Sequence, residues 1–249
     1  MALTERGLVS SRSQAESWIK LGKVTVDGRV VLKPGHFVGP SADVKLMAEV
    51  QYVSRAGLKL ASVADIFKLN FRGKVVLDVG SSTGGFTDFA LKNGAKKVYA
   101  VDVGTDQLHS SLRGDKRIEL HEKTDIRDVY ATETCHIPNS NSQLLNDIPD
   151  IVVIDVSFIS LRQILPHIVK SLAGKQTQIV AMVKPQFEAG EGQTNKGVIK
   201  NDAMRRQILK DFEDWSRKYF VINNKRDSDV AGAKGNQERF YLLLPLVKL

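Results

Sequence analysis

Four apolar runs in this chain end, or begin, on a residue able to do acid–base chemistry. "VVLDV" carries Asp78 into the turn "GSSTGGF", "VVIDVSF" carries Asp155, "VAMVKPQFE" places Lys184 just before Pro185, and "GNQERFYLLLPL" places Glu238 at the entry of the last run. A lysine closing a buried strand is expensive unless an opposite charge faces it. Taken with Asp155 and the glycine turn, Lys184 is read as part of a chemical site and not as a snorkelling strand-end cation.

The order of residues in the turn narrows the ligand. Asp78-Val79-Gly80-Ser81-Ser82-Thr83-Gly84-Gly85 lacks the G-x-G-x-x-G order of a nicotinamide or flavin site and the G-K-[ST] ending of a triphosphate-binding loop. A second acidic residue, Asp102, closes the next run "VYAVD" 24 positions further on, where a carboxylate can accept both hydroxyls of a ribose. No lysine stands in the turn to meet phosphates, so the ligand's tail need not be phosphate. An adenosyl group bearing a zwitterionic amino-acid tail fits, and S-adenosylmethionine is the common cofactor of that shape. The alternative is a glycine-rich strand-to-helix turn with no ligand.

These residues need a sheet to position them. From about Tyr52 the sequence predicts a helix over Arg55 to Leu69 and then alternating strands and helices, with "KVVLDV", "KVYAVDV", "DIVVIDVSF" and "QIVAMVKP" as strands buried on both faces. The predicted fold class is α/β: a doubly wound, Rossmann-like domain whose ligand lies at the carboxyl ends of its strands. A small α+β unit precedes it. "SRSQAESWIKLG" predicts a helix with a capping-box spacing from Ser13 to Glu16, an apolar face of Ala15, Trp18, Ile19 and Leu21, and a stop at Gly22. "KVTVDGRVV" predicts a hairpin turning at Asp27-Gly28, and "DVKLM" one more strand. The expected units are 1–50 and 51–249, with a polar surface insertion at 131–149 that has room for one short helix.

Composition limits the function classes. The 249 residues carry a formal charge of +8 and a pI near 9.5, and the first 74 positions hold 12 basic against 6 acidic residues, so most of the excess is N-terminal. That placement favours a polyanionic partner held by the small unit. The single cysteine, Cys135, excludes an internal disulfide and any cysteine-built zinc site, as expected in a reducing compartment. No apolar run approaches the roughly 18 residues of a membrane span, and no signal-peptide core opens the chain, so a cytoplasmic location with no membrane partner is expected. His109, His121, His136 and His167 show no metal-ligand spacing, and no metal is expected. Trp18 and Trp215 read as packing residues.

The segments "YVSRAGLKL", "LDVGSSTGGFT", "DVSFISL", "VKPQFEAG" and "KGVI" together resemble the hemolysin-A-type (TlyA) RNA methyltransferases, in the order that family has them and over nearly the whole chain. The resemblance implies an S-four-like RNA-binding domain joined to an FtsJ-like methyltransferase domain that uses S-adenosyl-L-methionine, with ribosomal RNA or a ribosomal subunit as partner and a cytidine 2′-oxygen as target. It implies a catalytic set of Lys59, Asp155, Lys184 and Glu238 around the ribose 2′-hydroxyl. It implies a cofactor site built from Asp78, Gly80, Ser81, Ser82, Thr83, Gly84, Gly85 and Phe86, with Asp102 on the ribose, Asp125 near the adenine and Asp155 beside them. Two departures stand out. The Arg-Leu-Asp helix that usually precedes "ERGLV" is missing, so a trimmed module with a weaker RNA grip is expected, and the 131–149 insertion is long.

The four residues have a physical logic of their own. A ribose hydroxyl is a poor nucleophile and a sulfonium methyl a strong electrophile, so alignment and removal of one proton are the main tasks. A lysine is ordinarily protonated at neutral pH; a second cation favours its neutral form, and carboxylates oppose that. Lys184 is accordingly the expected base or hydroxyl-steering group, tuned by Lys59 and oriented by Asp155 and Glu238. A target inside an RNA helix would have to be flipped out to reach such a pocket. Rival classes are a noncatalytic RNA-binding or ribosome-assembly protein, a membrane-active hemolysin, and a base methyltransferase. The last usually carries an Asn/Asp-Pro-Pro-aromatic turn or a catalytic cysteine where this chain has Asp155-Val156-Ser157-Phe158.

Overall fold

The computed structural model describes residues 2–9, 11–47, 52–132, 142–190, 194, 197–199, 201–230, 232 and 235–246. The Ser13 side chain, Cys135, His136, the expected division at residue 50 and much of the 131–149 insertion lie outside the described residues.

The small unit contains α1 (Ala2–Glu5), α2 (Arg12–Lys20) and a three-stranded sheet of β1 (Val24–Val26), β2 (Arg29–Val30) and β3 (Val44–Leu46) in the order β2-β1-β3. Helix α2 starts earlier than the Ser13–Glu16 spacing predicts. Ser11 is in extended backbone and its hydroxyl accepts from the Gln14 amide at 3.2 Å, while Glu16 pairs with Arg12 one turn back at 3.4 Å. Gly22, at φ +69°, stops it as expected. Asp27 and Gly28 both take positive φ, and Val26 faces Arg29, which is the two-residue hairpin read from the sequence. Ala15, Trp18, Val24 and Val44 form a small core that Leu58 and Val230 of the large unit complete.

In the large unit α3 (Arg55–Ala64) ends before Leu69, because the chain turns through Lys68 at φ +53° and sends Phe67 and Phe71 back to the core. Seven strands follow: β4 (Val75–Val79), β5 (Lys97–Val101), β6 (Ile118–His121), β9 (Ile151–Ile154), β10 (Gln178–Val183), β11 (Phe220–Asp227) and β12 (Arg239–Pro245), ordered β11-β12-β10-β9-β4-β5-β6. β7 (Val129–Ala131) and β8 (Gln143–Leu145) form a separate parallel pair, so the described end of the insertion holds a strand and not a helix. α3 and α4 (Gly85–Lys92) pack on one face of the sheet; α5 (Leu165–Ser171) and α7 (Asp202–Ser216) pack on the other, and the short α6 (Pro185–Glu188) follows β10. β4 and β9 are buried throughout, each large apolar side chain contributing about 1.5–3 kcal/mol.

Two features of the topology create the site. Strand order reverses at β4, with β5 on one side and β9 on the other, which opens a crevice at the carboxyl ends. β12 runs antiparallel to both its neighbours, so its entry lies beside the exits of the others. The pairing of Val183 with Arg239 brings the following Lys184 and the preceding Glu238 to the same edge.

Candidate active site

The turn after β4 is shaped by close backbone approach. Gly80 has φ +81°, and a Cβ there would lie 2.7 Å from the Asp155 carbonyl at the exit of β9. Gly85 opens α4, and a Cβ on it would collide with the Ser54 hydroxyl and come within 2.7 Å of Ala56. Asp102 fixes the other side of the turn: one carboxylate oxygen accepts from the Ser82 amide at 2.8 Å and the other from the Gly104 amide at 2.6 Å. Each oxygen keeps lone-pair capacity for a ligand.

A cavity of about 380 Å³ lies over this crevice. Gly80, Ser82, Asp102 and Asp125 line its polar side, and Val101, Val103, Ile126, Val156, Ile159 and Ile164 its apolar side, as suits a flat ring attached to a sugar. Asp125 borders the cavity, but both of its carboxylate oxygens are engaged by Arg127, which holds the carboxyl below its ordinary range.

A second cavity, of about 150 Å³, shares Gly80, Ser82, Asp155 and Ser157 with the first and adds Ala56, Asp78, Ser81, Thr83, Phe86 and Lys184. Asp78 is buried, and one of its oxygens accepts from the Thr87 hydroxyl at 2.6 Å; the other, like the buried Ser81 hydroxyl oxygen, has no hydrogen-bond partner among the described residues. Burial raises the Asp78 carboxyl to about 7, opposed by the Thr87 hydrogen bond and reinforced by the nearby Asp155 and Asp102. Unpaired buried acceptors cost stability, and here two of them face one small cavity.

The four candidate catalytic side chains form two ion pairs, of which Lys184 and Asp155 line the small cavity while the buried Lys59 and Glu238 line neither of the two cavities. Lys184 Nζ lies 2.7 Å from Asp155 Oδ1, outside hydrogen-bond alignment, and donates its aligned bond to Ser157 Oγ at 2.8 Å. Lys59, on α3, donates to Glu238 at 2.5 Å, with side chains only 10% and 3% exposed. The Glu238 carboxylate leaves 2.7 Å to the position a Cβ would take on Gly232. Each ammonium is thus matched by one carboxylate. Sequence reasoning missed Ser157 and the apolar lining at Val103, Ile126 and Val156; their only signal was adjacency to Asp102, Asp125 and Asp155. Among the described residues no group of three or more His, Cys, Asp or Glu side chains is placed to hold a metal ion, and His167 donates to the Val129 carbonyl at 2.8 Å.

Comparison with known proteins agrees with this geometry. Residues 52–244 match the FtsJ-like methyltransferase family and residues 1–44 the S4 domain. The chain is 40% identical to Hemolysin A of Brachyspira hyodysenteriae over 93% of both chains. It is 38% identical to the 16S/23S rRNA (cytidine-2′-O)-methyltransferase TlyA of Mycobacterium tuberculosis, over 82% of this chain and 72% of that one. A solved structure of a candidate hemolysin from Streptococcus thermophilus superposes with a TM-score of 0.70 at 36% identity, covering 98% of this chain and 86% of that one. The chain belongs to the FtsJ-like methyltransferase family, in its hemolysin-A/TlyA branch.

The buried carboxyls make two stability predictions. The folded state holds the Asp78 proton more tightly than the unfolded chain, whose carboxyl titrates at 3.8, so this contribution is complete below pH 4 and lost as pH rises through about 7. Asp78→Asn cannot ionise, and its thermal stability relative to the parent is expected to rise between pH 4 and pH 7, by up to about 4 kcal/mol; a constant difference would contradict the burial argument. Glu238→Ala leaves Lys59 buried and unpaired and is expected to lower unfolding free energy by roughly 3–5 kcal/mol, whereas Lys59→Met combined with Glu238→Leu costs less. Urea titration of the three variants checks this, and equal losses in the single and double variants would count against the pairing.

Proposed function

We propose that this methyltransferase transfers a methyl group from S-adenosylmethionine to the 2′-oxygen of a cytidine ribose in ribosomal RNA. The observation that carries the reading is the Lys184–Asp155 contact lining a small cavity that shares four residues with the cavity over the crevice of the strand-order reversal. The names of the relatives support ribosomal RNA and the cytidine 2′-oxygen.

The residues present fit S-adenosylmethionine. When bound, it supplies a methyl carbon on a positively charged sulfur. Asp102 is suited to the ribose hydroxyls, and the apolar wall of Val103, Ile126 and Val156 to the adenine. The unpaired oxygens of Asp78 and Ser81 are suited to the polar amino-acid tail, in the cradle that Gly80 leaves open. Asp125 borders the adenine side, and Thr83, Gly84, Gly85 and Phe86 support the turn.

On this reading Lys184 steers the 2′-hydroxyl or takes its proton, Asp155 holds Lys184, and the buried Lys59–Glu238 pair completes the set as a second lysine–carboxylate contact. Alignment and one proton transfer are all that the chemistry demands. The basic N-terminal unit, 1–50, holds the RNA backbone, and 51–249 carry out the transfer in the cytoplasm, on a ribosomal subunit or its precursor.

Incubation of purified protein with labelled S-adenosylmethionine and isolated or assembled ribosomal subunits is expected to place label on a ribose 2′-oxygen. Lys184→Ala is expected to lower the rate roughly 10²–10⁴-fold; near-parental transfer by that variant would sink the assignment. RNA binding is expected to weaken at least about 10-fold between 50 and 200 mM salt, as phosphate contacts release counterions. Salt-insensitive binding would remove the small unit's charge from the RNA grip.

A further inference from the structure

We propose that Ser157 is the positioning residue that aims Lys184 at the junction of the two cavities. This rests on the catalytic reading of Lys184 given above. Ser157 is one of four residues that line both cavities, and its hydroxyl accepts the aligned hydrogen bond of the Lys184 ammonium at 2.8 Å. A lysine nitrogen has three positions besides its own carbon. Ser157 occupies one with an aligned bond, Asp155 lies beside the ammonium at 2.7 Å without one, and no further partner is present among the described residues. The aligned bond sets the direction of the remaining positions, which serve a ribose hydroxyl equally well whether they carry a proton or a lone pair. Without the Ser157 contact Lys184 would keep only the misaligned Asp155 contact and could rotate about its flexible stem.

The surrounding loops show that this contact is held in place. Ser157 precedes Phe158, a non-glycine residue at φ +65°, a conformation that costs of order 1–3 kcal/mol and persists only under outside constraint. The constraint comes from Glu188, which accepts from the Ser160 hydroxyl and the Leu161 amide, each at 2.6 Å, while the largely exposed Phe158 ring lies 5.2 Å from that of Phe187. Burial raises the Glu188 carboxyl while these two hydrogen bonds and Arg162 oppose the shift. The loop bearing Ser157 and the segment opening on Lys184 are therefore fastened to one another beyond the Lys184–Ser157 contact, as the pairing of β9 with β10 fastens them before it.

The test compares Ser157→Ala, Ser157→Thr and Lys184→Ala in the full chain. Ser157→Ala is expected to lower kcat roughly 10–100-fold, the range of one hydrogen bond to a charged group. KM for the ribosomal subunit and the Kd for S-adenosylmethionine, measured by calorimetry, should stay within about twofold, while the pH–rate profile shifts. Independently of turnover, the pH dependence of acylation of Lys184 by an amine-selective reagent, followed by peptide mass spectrometry, should move in Ser157→Ala and return in Ser157→Thr. Parental kcat, pH profile and Lys184 labelling in Ser157→Ala beside an inactive Lys184→Ala would overturn the positioning role and leave Lys184 catalytic. Loss of cofactor binding in Ser157→Ala would also overturn it, by making Ser157 a cofactor contact. Activity retained by Lys184→Ala would remove the underlying reading and the proposal with it.

Discussion

A charge can stand at the end of a strand buried on both faces only if an opposite charge or a hydrogen-bonding group meets it there. β4, β9 and β10 leave the core at one edge, and the residues that follow or close them are Asp78, Asp155 and Lys184. Asp155 and Lys184 meet across neighbouring strands, as the constraint requires. The Lys59–Glu238 pair answers the same demand from helix α3 and the entry of β12. Electroneutrality and, on the reading proposed here, chemistry thus fall on the same four side chains. Pairing is why this edge of the sheet tolerates four ionisable groups among apolar strands.

The reversed strand β12 is what makes this possible. Were it parallel to β10, its entry would lie at the opposite edge of the sheet, and Glu238 would be remote from Lys184. Antiparallel pairing instead carries Glu238 to the exit edge, and Arg239, next in sequence, is held from the other side by Asp227, which also receives Arg205 of α7. Asn236 accepts from the Ile199 amide and donates to the Gly197 carbonyl, so the approach to Glu238 is anchored to the "KGVI" segment. A carboxylate with so little freedom can hold Lys59 without the entropy loss of ordering two exposed side chains.

The parts of this arrangement that the sequence disclosed are those whose physics is local or periodic. Continuous apolar runs identified β4, β5, β9 and β10, and Asp27-Gly28 identified the hairpin, because each signal is complete within a few residues. β11, "FVINNKRD", is an edge strand whose outward side chains are mostly polar, and β6, "IELH", is half-exposed; neither carries the buried-strand signature. Lys59 was invisible to periodicity, since a lysine on an amphipathic helix is ordinarily solvated, and it entered only through the family resemblance. Its burial depends on Glu238, 179 positions away. Ser157 had only its nearness to Asp155 as a signal: a serine two positions after an aspartate reads as a loop residue until its hydroxyl is found on Lys184.

The unpaired oxygens of Asp78 and Ser81 are a different kind of feature, since nothing among the described residues satisfies them. Burial that disfavours a bare carboxylate also strengthens its attraction for a cation, because both effects follow from the same low dielectric. The destabilisation carried by Asp78 is therefore relieved most by a ligand that brings positive charge into the small cavity. On the reading proposed here the methyl donor carries an ammonium and a sulfonium, and the spent donor has lost the sulfonium charge. Asp78 and Asp155, both lining that cavity, then favour the donor over its product. On that reading the burial that raises the unliganded Asp78 carboxyl also favours the cationic donor, and loss of the sulfonium charge weakens the hold on the product.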